Sequence, residues 1–224
     1  PYNALKLDVP RTITTECRPS NGFGFPEHNI VTYEFPGTQY TAGSLKWIWY
    51  DGEGAPRMSE DLILPGMEMK KDKKTQDAGA RDKISLDAGV AAGNELPEQG
   101  AMFVGEEGRL LLPHFMQLPR KIRKGKYVDI SKEIAKVSKE HNLGEPIRDY
   151  DREGPKHYHQ FVDACLGKAT TTAPFDYAAR LTETILLGTI AGRFPGETLH
   201  WDAVTAKFKE EKANQYLAGD YREF

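Results

Sequence analysis

Two hydrophobic periods divide this chain, and their order most constrains its fold. Alternation of period two fills the first half, and helical spacing fills the second. Thr12–Arg18 is rich in β-branched residues and closes on the turn cluster Pro19–Gly22. Asn29–Phe35 alternates, with Ile30, Val31, Tyr33 and Phe35 around polar Thr32 and Glu34. After Pro36-Gly37 an aromatic strand, Ser44–Tyr50, runs to Asp51-Gly52. Ala101–Val104 and Arg109–Pro113, joined through Gly105-Glu106-Glu107-Gly108, read as a hairpin. Strands first and principal helices later predict an α+β fold, a mostly antiparallel sheet with helices on one face, rather than an alternating α/β fold.

The helical half is expected as four pieces. Ser131–His141 has helical spacing, with Ser131 as N-cap and Glu133 in the first turn. A second helix is read from about Pro155 to Leu166, burying Phe161, Val162 and Cys165, with Gly167 as its cap. The longest spans Pro174–Phe194, where Phe175, Ala178, Leu181, Ile185, Leu186 and Ile190 form a wide apolar stripe. Within it, Gly188 and Gly192 lie one turn apart. Each costs about 1 kcal/mol relative to Ala, which suggests that another element approaches the backbone there. Thr198–Trp201 reads as a short strand and Lys209–Leu217 as an exposed helix. Tyr2–Val9 reads as the last turn of a helix stopped by Pro10, and on that reading further chain is expected upstream.

Composition narrows the function classes. A formal net charge of -3 gives no electrostatic footprint for nucleic acid. The most hydrophobic stretch, Thr182–Ala191, is well short of the roughly 20 residues a membrane helix needs. Neither nucleic acid nor membrane is therefore expected as a partner. Cys17 and Cys165 sit in no C-x-x-C pair and are read as buried or half-buried thiols, with one disulfide between them as the other option. Of the 224 residues 23 are aromatic, yet none lies between Asp51 and Met102. Residues 66–95, centred on the polar run Lys70–Asp77, are accordingly read as a surface insertion. Its lysines, interleaved with aspartates, suit a solvated face better than an anion site.

Motifs for nucleotide chemistry are missing from the sequence. No G-x-G-x-x-G follows a strand, and Gly22-Phe23-Gly24 runs into Pro26 rather than a helix. G-x-x-x-x-G-K-[ST], G-x-S-x-G and H-E-x-x-H do not occur. No catalytic residue, cofactor site or metal site is assigned. The remaining candidate is Lys156-His157-Tyr158-His159, read as straddling a helix start, where free N–H groups can receive a polar ligand. Histidines at i and i+2 point about 200° apart on a helix and cannot share one metal. Each is either a capping or packing group or, for one of them, a pocket residue. Alternation puts Trp47 and Trp49 on one sheet face and Lys46, Ile48 and Tyr50 on the other. Helices cover one face, and the simplest cover for the second is another subunit, giving a homodimer or larger even oligomer.

Three blocks resemble the C-terminal domain of the Gfo/Idh/MocA oxidoreductases, particularly the bacterial branch with a long C-terminal region. The first is Val31–Pro36 with Leu45–Gly52, and the second is Met102–Pro113. The third runs from His157 through Phe161–Cys165, Phe175–Ala178, Leu181–Glu183 and Leu186–Gly188 to Leu199–Asp202. The resemblance covers nearly all of the chain except residues 66–95. It implies one α+β domain over residues 1–224, the substrate and oligomerisation half of an NAD(P)-dependent dehydrogenase acting on a sugar, polyol or derivative. NAD or NADP would bind the enzyme's own N-terminal Rossmann domain, not this chain. The family's Glu-Lys-Pro lysine has no counterpart here, and its Asp-x-x-x-His pair would fall before Pro1. Only His157 matches a position at the substrate pocket's edge. A second expectation from a different class is a stand-alone carbohydrate-binding or assembly module with the same fold and no chemistry.

Overall fold

The computed structural model describes residues 1–52, 99–106, 108–113, 118–123, 126–143 and 150–219. The expected insertion at 66–95 lies outside them. The fold is α+β and its sheets are antiparallel throughout. The chain divides into two compact units. One is Pro1–Pro56 with Asp163–Phe224, and the other is Arg57–Val162.

The first unit is built on a five-stranded sheet in the order β3-β2-β1-β8-β9. Its strands are β1 (Thr12–Cys17), β2 (Asn29–Pro36), β3 (Ser44–Asp51), β8 (Thr198–Asp202) and β9 (Lys207–Phe208). Residues directly opposite across antiparallel strands share a face, so the register sorts the side chains. Ile13 opposes Tyr33 and Leu199, Thr15 opposes Val31, and Tyr33 opposes Trp47. These belong to the covered face. Thr12 opposes Glu34 and His200, Thr14 opposes Thr32 and Thr198, and Ile30 opposes Glu16 and Tyr50. These belong to the other.

Helix α3 (Phe175–Ala191) supplies the cover. Leu187, Ile190 and Ala191 are buried in one core with Ile13, Val31, Tyr33, Phe35 and Leu199. Gly188 explains how closely it sits: a Cβ there would lie 2.0 Å from the Tyr33 hydroxyl and 3.3 Å from Val31 Cγ1. The close approach expected at Gly188 is therefore present. At Gly192 the neighbour is Cys17 of β1, whose Sγ lies 3.6 Å from the Gly192 carbonyl, while a Cβ there would meet only carbonyls of the preceding turn and the residue caps the helix.

The opening segment closes the same core. Lys6 has φ of 53°, Leu7 N–H donates to the Tyr2 carbonyl at 3.1 Å, and Lys6 N–H donates to the Asn3 carbonyl at 3.2 Å. This 6→1 and 5→2 pair is a Schellman turn. It brings Tyr2 and Leu7 together, both buried in the core. The expected helical turn before Pro10 is present in that form. Tyr2 also packs edge-on against Phe35, with ring centroids 6.3 Å apart.

The second unit carries a four-stranded sheet in the order β4-β5-β6-β7: Gly100–Gly105, Gly108–Pro113, Arg120–Arg123 and Lys126–Val128. The predicted glycine-closed hairpin is β4–β5, with Gly105 opposite Gly108. Leu111 and Ile122 are its buried centre, with Met102 and Tyr127 packed against them. Helix α1 (Ser131–Glu140) follows, but Ser131 is not its cap. Its hydroxyl and N–H both bond Asp129 Oδ1, at 2.5 and 2.9 Å, because an ionised carboxylate is the stronger acceptor.

Helix α2 (Tyr150–Cys165) corrects the sequence reading twice. It starts five residues before Pro155, so the proline lies inside it. Phe161 and Val162 are 62% and 53% exposed and Cys165 is exposed, so the expected burial of all three does not occur. Cys17 and Cys165 are both free, which removes the disulfide option. The last helix, α4, is only Glu211–Asn214. The Asn214 side chain turns back to bond Phe208 N–H and carbonyl at 2.8 and 3.0 Å, and the chain continues in turns rather than as the expected helix to Leu217. Among the described residues no helix is long and apolar enough to cross a membrane.

The Gly188 contact yields a prediction. Gly188→Ala should destabilise the chain by about 1–3 kcal/mol through overpacking, although alanine is the better helix former by about 1 kcal/mol. Adding Tyr33→Phe, which removes the clashing oxygen, should recover part of the loss in urea melts. A neutral or stabilising Gly188→Ala would show that α3 does not sit this close.

Candidate functional site

His157, the one site residue assigned from sequence, lies in the interior of α2 and not at its start. Extension of the helix back to Tyr150 ties its backbone N–H into the helix, so the expected cluster of free N–H donors is not there. Its ring is exposed and meets Tyr158 edge-on at 5.6 Å. The preceding residue, Lys156, pairs at 2.5 Å with Glu153, one turn earlier. His159 is exposed as well. Among the described residues no group of three His, Cys, Asp or Glu side chains is placed to hold a metal.

The first unit holds a second constellation that sequence reading missed. His200 sits on β8, on the face away from α3 and opposite Thr12. Glu210 grips it twice, accepting the His200 backbone N–H at 2.8 Å on Oε2 and the ring Nδ1 at 2.8 Å on Oε1. A carboxylate can only accept, so Nδ1 carries the proton of this bond and Nε2 takes no part in it. The backbone reinforces the pairing, since Lys209 N–H donates to the His200 carbonyl at 2.9 Å. Burial pushes the Glu210 carboxyl up, but the backbone and ring hydrogen bonds from His200 outweigh it and hold the group below its ordinary value. The arrangement fixes the imidazole through its Nδ1 and its backbone, and leaves Nε2 outside the pairing. The partners are ten positions apart, on either side of the β8–β9 turn, so no local spacing announces them.

On the covered side, one residue along, Trp201 Nε1–H donates to Glu183 Oε1 at 2.8 Å. Glu183 Oε2 accepts from Arg180 Nη1 at 2.9 Å, and Arg180 Nε lies 3.6 Å from Asp8 Oδ1. The Tyr2 hydroxyl donates to the Asp8 carbonyl, and burial raises the Tyr2 pKa. This chain of partners ties β8, α3 and the opening turn together. Its role is positional, since it satisfies the indole N–H where Trp201 packs on Phe208 at 4.9 Å.

No protein-family model matches the chain, and no curated protein matches it.

The Glu210 grip carries a pH signature. Its folded pKa is depressed below 4.5, so its stabilisation is complete above the unfolded value and is lost as pH falls through the folded one. Glu210→Gln should cost about 1 kcal/mol at pH 7, since one of two donors then faces an amide N–H rather than an acceptor. The gap in melting temperature between variant and parent should narrow from pH 7 to pH 3. A gap that stays constant across that range would mean that the carboxylate's charge contributes nothing.

Proposed function

We propose that this chain is the substrate-side and subunit-pairing part of an NAD(P)-dependent oxidoreductase acting on a sugar, polyol or related carbinol. The observation that carries the reading is where the resembling blocks lie. Val31–Pro36 and Leu45–Asp51, together with Leu199–Asp202 more than 140 residues further on, lie in strands β2, β3 and β8 of one antiparallel sheet. Phe175–Gly188, from the same set of blocks, is the helix on that sheet. One face covered by helix and one left open is the layout such a domain uses when its open face meets a second subunit.

In this reading the nicotinamide is held by a Rossmann domain elsewhere in the polypeptide, which supplies the hydride chemistry. His157, an exposed imidazole on α2, is the residue assigned to the edge of the substrate pocket. The oligomer is a homodimer or a larger even assembly.

Two measurements test this. The reading frame upstream of this chain should continue for about 150 residues, one domain's length, with a G-x-G-x-x-G after its first strand. A frame without it would favour the stand-alone carbohydrate-binding or assembly module. The isolated chain should not bind NADH, because it lacks the glycine turn and the ribose-binding acid. Saturable quenching of its tryptophans with a dissociation constant below about 100 μM, roughly −5.5 kcal/mol, would sink the reading.

A further inference from the structure

The connection from β1 to β2, residues Arg18–His28, displays two phenylalanines: Phe23 is 98% exposed and Phe25 is 66% exposed. Exposed aromatics on a loose loop would need no account, but this loop is clamped. Arg18 Nε and Nη2 grip both oxygens of Glu27 at 2.8 and 3.0 Å. The same guanidinium donates to the Pro19 and Phe25 carbonyls, each at 3.2 Å. Asn21 Oδ1 accepts the N–H groups of Phe23 and Gly24 at 3.0 and 3.2 Å, and Gly22 takes the turn at φ of 80°. The Arg18 hydrogen bonds hold the Glu27 carboxyl down to about 2, so the clamp is closed throughout the neutral range. A loop fixed in this way has already lost the freedom that binding would otherwise remove.

We propose that this loop is an arm that docks on a second copy of the chain, extending the subunit contact made by the open sheet face. The inference rests on the subunit-pairing reading above. Area favours a second copy as the occupant. The open face spans strands of 6, 8, 8 and 5 residues, about 20 by 22 Å at ordinary strand and residue spacings. That is roughly 450 Å2, against about 800 Å2 per partner in a standard specific interface. A buried aromatic contributes about 150–250 Å2, so the two phenylalanines close most of the gap.

Continuity and charge point the same way. The loop springs from the Cys17–Asn29 pair, next to the cross-strand pair Ile30–Tyr50, the apolar end of the open face. That face carries both signs, with Glu16 opposite Ile30 at this end and Glu34 opposite Lys46 towards the other. An identical face therefore meets no uniform like charge.

Sedimentation of the 224-residue chain at micromolar concentration tests the inference, with Phe23→Ser/Phe25→Ser and Ile48→Lys as variants. Both changes fall on exposed side chains, and unchanged circular dichroism and melting in dilute protein would confirm intact folding. The parent chain should be a dimer or larger even oligomer, the double variant should dissociate at least tenfold more readily, and Ile48→Lys should weaken the assembly too. A double variant that associates as tightly as the parent, while Ile48→Lys is monomeric, overturns the arm and leaves the sheet pairing standing. A monomeric parent overturns both.

Discussion

The first unit depends on the pairing of β1 with β8. Thr14 and Thr198, 184 residues apart, share a 2.9 Å hydroxyl contact across that seam, and Ile13 meets Leu199 beneath it. Without the seam, β1–β3 is a three-stranded meander whose apolar face lacks its helix. With it, the chain that follows α3 is stitched to the centre of the sheet, and α3 is held over Tyr33 at the one position where a glycine allows it. Such distant pairing is slow to find, because closure of the intervening chain comes before the contacts that reward it. Local turns should therefore form first and the seam late.

The seam also separates two kinds of surface on the same strands. One residue inward from each polar position lies a core residue: Thr12 and Ile13, Thr32 and Tyr33, Lys46 and Trp47, His200 and Trp201. The open face is rich in threonine, with its apolar groups, Ile30, Ile48 and Tyr50, gathered at the end where the Phe23 loop begins. Threonine fits both demands on such a face, since its branched carbon suits the pleat and its hydroxyl stays satisfied in water or against a polar partner.

β-rich and alternating runs made most strands legible in the sequence: β1, β2, β3 and β8 of one sheet and, through the glycine-closed turn, β4 and β5 of the other, along with the division of Trp47 and Trp49 from Ile48 and Tyr50. The long stripe and Pro174 located α3. What escaped notice lacked a local signal. Arg120–Arg123 and Lys126–Val128 are short and basic, with Ile122 buried and Tyr127 packed beside it, and no alternating run long enough to announce β6 or β7. The β8–β9 turn uses Ala206 at φ of 51° rather than glycine or asparagine, which hid β9 and with it the Glu210 grip on His200. Pro155 misled in the opposite direction. Proline at the first turn is a sound rule, but here it marks the second turn of a helix already begun at Tyr150. His157 was consequently read at a helix start and lies in a helix interior.

The division into two units follows from how little a long excursion costs. The chain leaves the sheet after Asp51 and re-enters it at Thr198, and the whole of Arg57–Val162 is accommodated between them. Closing such a loop costs only about 0.6 kcal/mol more for each doubling of its length, far less than the burial of Ile13, Tyr33, Phe35 and Leu199 beneath α3 returns. The sheet of the first unit is thus indifferent to what the excursion contains, provided its ends come back together. The second unit needs its own centre for the same reason, and Leu111 with Ile122 supplies one. A fold arranged in this way can change the excursion, where His157 resides, without disturbing the strands that carry His200 and the Phe23 loop. On the proposed function, that separation would let the segment assigned to substrate and the face assigned to subunit pairing vary independently.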